Sequence, residues 1–402
     1  MTKIIYLENP YVREINANIL NKKHIDNKYY LILDRTIFYP NLAGGQPRDK
    51  GSINGIKVLD VYEENNEIIH VINENINSRD VHLSIDWDTR LDNMQQHTGQ
   101  HLLSSIFYNL YNGETVGFHI GESSSTIDVT IKDLNYEMVD KIETITNKII
   151  YSNFDIKSYY INQSQLESIP LRKTPPKNNN IRIVEIDGID YSPCCGTHHR
   201  KTGEIGIIKI IKWDKYKGNT RVEFVCGNRA LKDYSVKNIE LTNVANLLSS
   251  KNTDVFEKIK KMYSQNEILE KENRILKNEL LKLKTNELYD NALLIDNKKY
   301  IIKIFDDIEF QELGIIASNL KEINNVICLL GVKKNNIGQF LICRNKNINI
   351  DMKKVFKKIS INNNIKGGGN QERVQGGCNV DEVETILNNA FEIIKTKGVI
   401  LT

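Results

Sequence analysis

Much is missing from this 402-residue chain, and each absence excludes a class of protein. No run approaches the ~18 apolar residues that cross a bilayer, and the opening MTKIIYLENP has no apolar signal segment. A soluble, cytoplasmic protein with no membrane partner is therefore expected. Cysteine is sparse, and six residues without regular spacing do not make the disulfide framework of a small secreted domain. An excess of one charge is lacking too: 54 basic residues against 51 acidic ones leave a net +3, which allows a nucleic-acid partner without demanding one. There is no tandem repeat of solenoid type. With 40% hydrophobic and 26% charged residues, the chain is neither collagenous nor mucin-like nor wholly disordered. At roughly 150 residues per domain it has room for two or three.

What is present changes character along the chain. Over residues 1–88, short apolar runs such as TKIIYL, YYLILDRTIFYP, GSINGIKVLDVYEE and EIIHVINE alternate with turn residues, the pattern of a small N-terminal β-barrel. From Asp88 to Tyr111 the period turns helical, with Met94, His97, His101, Leu102, Ser105 and Tyr108 at three- and four-residue steps. Residues 89–235 as a whole mix a hairpin (GFHIGESSSTIDVTI), a helix (YEMVDKIETITNKIIYSN), strands (IRIVEI and EIGIIKIIKWDKYKGNTRVEFVCG) and a polar loop (LRKTPPKNNN), which predicts an α+β domain.

Residues 236–290 read as a helical linker. Val255, Met262, Leu269, Leu276 and Leu283 recur every seven residues, with Ile259, Asn266, Asn273 and Leu280 at the four-residue offset. Two readings stay open for this seam: a coiled coil that pairs with another helix, or one amphipathic helix packed on its own domain. Residues 291–402 return to an α/β pattern, with strands at KKYIIKIF, NNVICLLGV and GQFLICRN. The expected fold class is thus α+β, in four parts: a barrel, a metal-containing α+β domain, a helical or coiled-coil linker and a C-terminal α/β domain.

The most informative stretch is Gln96-His97-Thr98-Gly99-Gln100-His101. Two histidines four apart on a helix project from one face, so both imidazoles can reach one ion. In a zincin protease a glutamate follows the first histidine; here Thr98 does, which disfavours that chemistry. A second half lies in Tyr191-Ser192-Pro193-Cys194-Cys195-Gly196-Thr197-His198-His199, where Cys194 and His198 share the same spacing and Gly196 frees the backbone for a tight turn. Either half alone is more often surface or core than ligand. Together His97, His101, Cys194 and His198 supply four donors of the kind Zn2+ prefers. Cys195 and His199 remain spares, either of which could replace its neighbour.

HTGQHLL followed about ninety residues later by PCCGTHHRKTGEIG resembles the editing domain of alanyl-tRNA synthetase and its free-standing relatives, the AlaX proteins. Their upstream signature, an aromatic-Pro stretch leading to a glycine-rich GGQ and an Asp-x-Gly, is similar to Thr36-Ile37-Phe38-Tyr39-Pro40-Asn41-Leu42-Ala43-Gly44-Gly45-Gln46-Pro47-Arg48-Asp49-Lys50-Gly51. This chain has Ala43 where a third glycine is usual, and CCGTH where CGGTH is usual. Near the C-terminus, GGGNQERVQGG resembles the glycine-rich signature of the DHH-associated C-terminal domain of the same synthetases, so the likeness to a long-form AlaX spans nearly the whole chain.

The resemblance implies a zinc-dependent hydrolase that removes serine or glycine from mischarged tRNA(Ala). No ATP-binding aminoacylation module is expected, because no room remains for one. Thr98, Gln46 and Thr36 are the residues expected to bond the serine hydroxyl or orient the attacking water, since a pocket that pairs a hydroxyl disfavours an analogue lacking it. Four protein ligands normally close a zinc site, so one of them, His198 as the last in the tight turn, is expected to be loosely held. Basic runs at Lys209, Lys212, Lys215, Lys217 and Arg221, and at Lys353, Lys354, Lys357 and Lys358, are candidate phosphate contacts. The resemblance also implies that the C-terminal domain reads tRNA outside the acceptor end. A homodimer through the 255–283 seam or the C-terminal domain is a further expectation. The alternative reading is a non-catalytic tRNA-binding protein with a structural zinc. A release-factor-like use of Gly44-Gly45-Gln46 and a small-ester hydrolase are weaker alternatives.

Overall fold

A computed structural model describes residues 2–41, 45–173, 180–334, 336–361 and 365–396. The chain divides into two compact units, Met1–Asn252 and Thr253–Thr402.

In the first unit six strands close a barrel in the order Glu14–Ile25, Lys28–Leu33, Glu67–Ile72, Ile56–Glu64, Gly51–Ile53 and Asp80–Ile85. Alternate side chains fill its interior, among them Leu31, Leu33, Ile53, Ile68, Ile72, Val81, Leu83 and Ile85. Two of its hairpins turn on Asp26-Asn27 and Asn65-Asn66, all four with φ between 49° and 62°. Paired left-handed residues of this kind match the twist of the flanking strands, which gives some of the abundant asparagines a structural use. The stretch TKIIYL, read as a strand, pairs only at Lys3–Ile4 and then turns helical over Ile5–Glu8, where Tyr6 is buried.

The helix Trp87–Tyr111 follows the barrel. Asp86 caps its start by accepting from the Thr89 amide at 3.0 Å, and Asn112 ends it in the left-handed conformation. Arg90 in its first turn is fully buried and pairs with the equally buried Asp49, its Nε 3.0 Å from Oδ1. Arg90 also donates to the carbonyls of Pro10 (2.7 Å) and Ile37 (2.6 Å), while Asp49 accepts from the Tyr39 amide at 2.6 Å. Every charge in this clamp has a partner, which is the condition for tolerating a buried ion pair. The Asp-x-Gly signature is therefore architectural at its aspartate, which fixes the helix to the barrel. At its glycine, a Cβ on Gly51 would lie 2.2 Å from the Ser84 carbonyl oxygen.

Further along the helix, Leu102, Leu103, Ile106 and Phe107 enter a core with Ile142 and Ile150 of the helix Tyr136–Ser152 and with Val222 and Phe224. The last two belong to an antiparallel sheet ordered Ile208–Tyr216, Asn219–Cys226, Ser125–Val129, Thr115–Ile120. A second sheet of three strands, Ile156–Ile161, Ile181–Ile186 and Asp190–Pro193, delivers the chain to Cys194.

The second unit holds the long helix Val255–Asp290 and a six-stranded sheet ordered Leu293–Ile295, Lys298–Phe305, Val326–Lys334, Ile337–Arg344, Arg373–Asn379, Lys366–Gly369. Strand Val326–Lys334 is buried on both faces: Ile327 and Leu329 meet the helices Met352–Ser360 and Val383–Thr396, while Cys328, Leu330 and Val332 meet the helix Phe310–Lys321. The glycine-rich segment near the C-terminus is a hairpin of two strands, with Gly367 opposite Gly376. A Cβ on Gly367 would lie 2.2 Å from the Gln375 carbonyl oxygen, so glycine is needed for strand packing. The helical stretch begins at Gly227 and is two helices, Gly227–Leu247 and Val255–Asp290. Among the described residues no helix is long and apolar enough to cross a membrane.

Candidate metal centre

His97 and His101 lie one turn apart on the helix Trp87–Tyr111, and the turn after strand Asp190–Pro193 brings Cys194 and His198 against them. One ligand atom from each of the four residues falls within 4.8 Å of every other. The Cys194 sulfur is 3.4 Å from His97 Nε2 and 3.2 Å from His198 Nε2. Tetrahedral bonds of about 2.3 Å to sulfur and about 2.05 Å to nitrogen would set such donors about 3.5 Å apart, so this donor set fits a zinc-sized cation. The spares separate cleanly. Cys195 is exposed, and His199 turns its Nδ1 to the Tyr11 hydroxyl at 3.3 Å, away from the group.

Each imidazole of the group is held at Nδ1, which leaves Nε2 for the common centre. His97 Nδ1 bonds Gln46 Oε1 at 2.8 Å, His101 Nδ1 faces Asp190 Oδ2 at 3.4 Å, and His198 Nδ1 is 3.4 Å from the Thr98 hydroxyl. Such outer partners fix tautomer and ring orientation at metal sites. They are themselves held. Gln46 also accepts from the Thr197 amide at 3.0 Å and donates to its hydroxyl at 2.9 Å. Asp190 accepts from Arg172 Nε at 2.7 Å and from Ser192 at 2.9 Å. The Gly196 amide donates to the Cys194 sulfur at 3.3 Å, and a Cβ on Gly196 would fall 2.1 Å from His97 Cε1, so glycine is required for the turn to close on the ring.

The helix supplies this face through neighbours that need their own identities. Gln96 exchanges two hydrogen bonds with the backbone of Cys226, at 3.0 and 3.1 Å. A Cβ on Gly99 would stand 2.3 Å from the Cys226 sulfur. Burial would raise the Cys194 thiol, but three imidazoles beside it take it well below its ordinary range. Burial likewise opposes charge on His101; the Cys194 sulfur and Asp190 outweigh it and hold that ring up at about 9. Asp190 is depressed to about 2, burial notwithstanding, by His101 and Arg172. A thiolate balanced by positive charge is the form that a cation can take over, displacing the proton.

His97, His101 and Cys194 line a cavity of about 560 Å³, together with Gln100, Thr115, Phe118, Arg172 and Arg182. Gln46, Thr98 and Thr36 are not in its lining. The first two stand behind the imidazoles. Thr36 is buried in the first unit, its hydroxyl 2.7 Å from His70 Nε2 and accepting from the Phe38 amide at 3.1 Å. Sequence reasoning passed over Asp190, which sits four residues before Cys194, and Gln100, inside the histidine motif itself. Leu42, Ala43 and Gly44 of the glycine-rich loop, and 174–179 of the polar loop, lie outside the described residues.

The first basic run is largely neutralised within the fold. Lys209 pairs with Glu143 (2.6 Å), Lys212 with Asp214 (2.7 Å), Lys215 with Asp133 (3.0 Å) and Arg221 with Asp128 (2.7 Å). On the helix Met352–Ser360, Met352, Val355 and Ile359 face the core, and Lys353, Lys357 and Lys358 are exposed with no ion pair among the described residues.

Residues 181–223 match the family described as the threonyl and alanyl tRNA synthetase second additional domain, and residues 297–396 match the DHHA1 domain. Over 98% of its length the chain is 31% identical to an alanyl-tRNA editing protein, AlaX-L, of Pyrococcus horikoshii, covering 99% of that protein. It is 28% identical to the alanyl-tRNA editing protein Aarsd1 of Danio rerio, over 88% of this chain and 87% of that one. The alanine–tRNA ligase of Methanococcus aeolicus matches at 28% identity over 96% of this chain, which spans 42% of the ligase.

Proposed function

The chain belongs to the family of alanyl-tRNA editing proteins, in the long form that joins an editing domain to a DHHA1 domain, and on that premise we propose that it is a zinc-dependent aminoacyl-tRNA deacylase. Its substrate is tRNA(Ala) mischarged with serine or glycine, and it hydrolyses the aminoacyl ester in the cytoplasm without ATP. The supporting observation is the convergence of His97, His101, Cys194 and His198, each imidazole held at Nδ1, with the first three of them lining a cavity. The segments 1–88, 89–235, 236–290 and 291–402 serve as barrel, editing domain, helical linker and tRNA-reading domain. Lys353, Lys354, Lys357 and Lys358 are assigned to tRNA phosphates.

A Zn2+ in this group would supply a Lewis acid beside the ester carbonyl or lower the pKa of a nearby water. The chain's own residues do the rest. Gln46, Thr98 and Asp190 act through the rings they hold, keeping three Nε2 atoms on one point. Gln100 reads the substrate. Its amide nitrogen donates to Ser104 Oγ at 2.8 Å, which also accepts from Thr115 at 2.7 Å, while its carbonyl oxygen has no hydrogen bond among the described residues. Anchored at one end and free at the other, beside His97 and His101, that carbonyl accepts from a serine hydroxyl and has nothing to accept from in alanine. Thr36 is assigned no contact with the substrate, since its hydroxyl is engaged by His70 and the Phe38 amide outside the cavity lining, and Thr36→Val is expected to leave the ratio of Ser-tRNA(Ala) to Ala-tRNA(Ala) hydrolysis unchanged.

A deacylation assay on Ser-tRNA(Ala), with and without a chelator, tests the reading. Release of serine that the chelator abolishes and zinc restores is expected. Gln100→Leu is expected to lower the preference for Ser- over Gly-tRNA(Ala) by about two- to tenfold, the net value of one hydrogen bond that replaces a bond to water. The count of four protein ligands, typical of closed structural sites, favours the second reading of a non-catalytic tRNA-binding protein. It would be adopted if tRNA binds, no ester is cleaved, and the chelator lowers only the melting temperature.

A further inference from the structure

Arg182 lies in Ile181–Ile186, the middle strand of the three-stranded sheet, and is only 6% exposed. Its backbone carbonyl accepts from the Cys194 amide at 3.1 Å, and its Nη1 donates to the carbonyls of Cys194 (2.8 Å) and Gly196 (3.0 Å). One side of the guanidinium thus braces the turn that carries Cys194 and His198. The other side is uncommitted. A guanidinium offers N–H donors on three nitrogens, and those on Nε and Nη2 of Arg182 have no hydrogen bond among the described residues. Arg182 has no carboxylate partner among them either, whereas Arg90, also buried, is matched by Asp49.

A buried charge is tolerated when a group of opposite sign meets it. The cavity wall supplies none: beside Arg182 it carries Arg172 and Lys173, and no aspartate or glutamate. Arg172 is spent on Asp190 and Ser192, while Lys173 is exposed and has no ion pair among the described residues. We propose that the free edge of Arg182 receives a phosphate group, with Lys173 as a second cation on the same wall. The phosphate is the diester that joins the last nucleotide of an RNA to the one before it. That identity rests on the deacylase reading: an aminoacyl ester brings an ammonium group and a carbonyl but no anion, so this diester is the nearest permanent negative charge of such a substrate. The donors of Nε and Nη2 lie side by side and match two oxygens of one phosphate. A diester held there says nothing about which amino acid is attached; it fixes where the ester lies against His97 and His101. Arg182 is then a binding residue that ties the RNA end to the Cys194 turn through a single side chain.

Calorimetry of the zinc-loaded full chain with adenosine and with the methyl ester of AMP, which differ by one phosphodiester, tests this. The diester is expected to bind about tenfold more tightly or better, as charge-assisted hydrogen bonds allow. Arg182→Met, with its zinc content showing that the Cys194 turn still closes, is expected to bind the two alike. Arg182→Lys keeps the charge without the fork; it is expected to keep zinc and to fall between the two, and it decides the matter if Arg182→Met loses the metal. Equal affinities in the natural chain overturn the proposal, and so does an undiminished preference in either zinc-retaining variant. Serine release without the preference removes the phosphate site and leaves the deacylase; the preference without serine release does the reverse.

Discussion

Replacing Gln46 with leucine separates the holding of the metal from the integrity of the fold. The side chain is almost fully buried and makes three hydrogen bonds, to His97 Nδ1 and to the amide and hydroxyl of Thr197. Leucine removes the acceptor that orients His97, and loss of such a partner costs roughly 10–100-fold in metal affinity, about 1.4–2.8 kcal/mol. It also leaves the buried Thr197 amide unpaired, which costs about 1–3 kcal/mol of stability. Glutamate is the counter-variant: it keeps both acceptor bonds, and the Thr197 hydroxyl can rotate to donate to it. Competition with a chromophoric zinc chelator reads the first effect, and thermal melting of the metal-free protein reads the second. Gln46→Leu should bind zinc one to two orders of magnitude more weakly, and Gln46→Glu as tightly as the natural chain. If Gln46→Leu melts lower yet holds zinc unchanged, the glutamine only fills space and His97 is not oriented through it.

Two further outcomes follow from the first unit. His70 is buried at the Thr36 hydroxyl, and burial lowers it from 6.5 to about 4. The unfolded chain takes up this proton below about 6.5 and the folded chain only near 4, so stability is full above 6.5 and falls with pH, by about 2 kcal/mol at pH 5. Urea unfolding at pH 7 and pH 5 should show His70→Gln losing that much less than the natural chain; an identical loss in both would mean that another group carries it. For the buried clamp, Asp49→Ala should cost about 3–5 kcal/mol because Arg90 is left charged and unpaired, whereas Asp49→Ala with Arg90→Met should cost less than the single change. A double variant worse than the sum of the two singles would refute the pairing argument.

The parts of the site that were legible in the sequence are those whose geometry is local. A four-residue spacing puts His97 and His101 on one helical face whatever else the chain does, and a Cys-x-x-x-His turn with Gly196 is nearly as self-contained. Convergence of the two halves is a tertiary event, inferable only because both halves name the same kind of ligand. Gln46 was visible as a residue but its use was not, since its partners His97 and Thr197 lie 51 and 151 positions away. The lysine run misled for the same reason: Arg221 stands directly across the sheet from Asp128, a neutralisation that only the strand register reveals. In the segment 367–377, Gly367, Gly369 and Gly376 serve strands packed too closely for a Cβ, a requirement set by the strand pairing and not visible in the composition.

This difference between committed and uncommitted polar groups bears on how such a site can discriminate between substrates. A residue whose polar atoms are already paired can orient a neighbour but has little left to offer a substrate, and Gln46, Thr98 and Asp190 are in that position. Gln100 has one end fixed by Ser104 and the other without a hydrogen bond among the described residues, on the same cavity wall as two of the candidate metal ligands. If the proposed substrate enters this cavity, the unpaired carbonyl would stay solvated with alanine or glycine and would exchange that water for a direct bond only with a hydroxyl. Under the proposed function, selectivity for serine would rest on one hydrogen bond made at a fixed position, so a single substitution should remove it without disturbing His97, His101, Cys194 and His198.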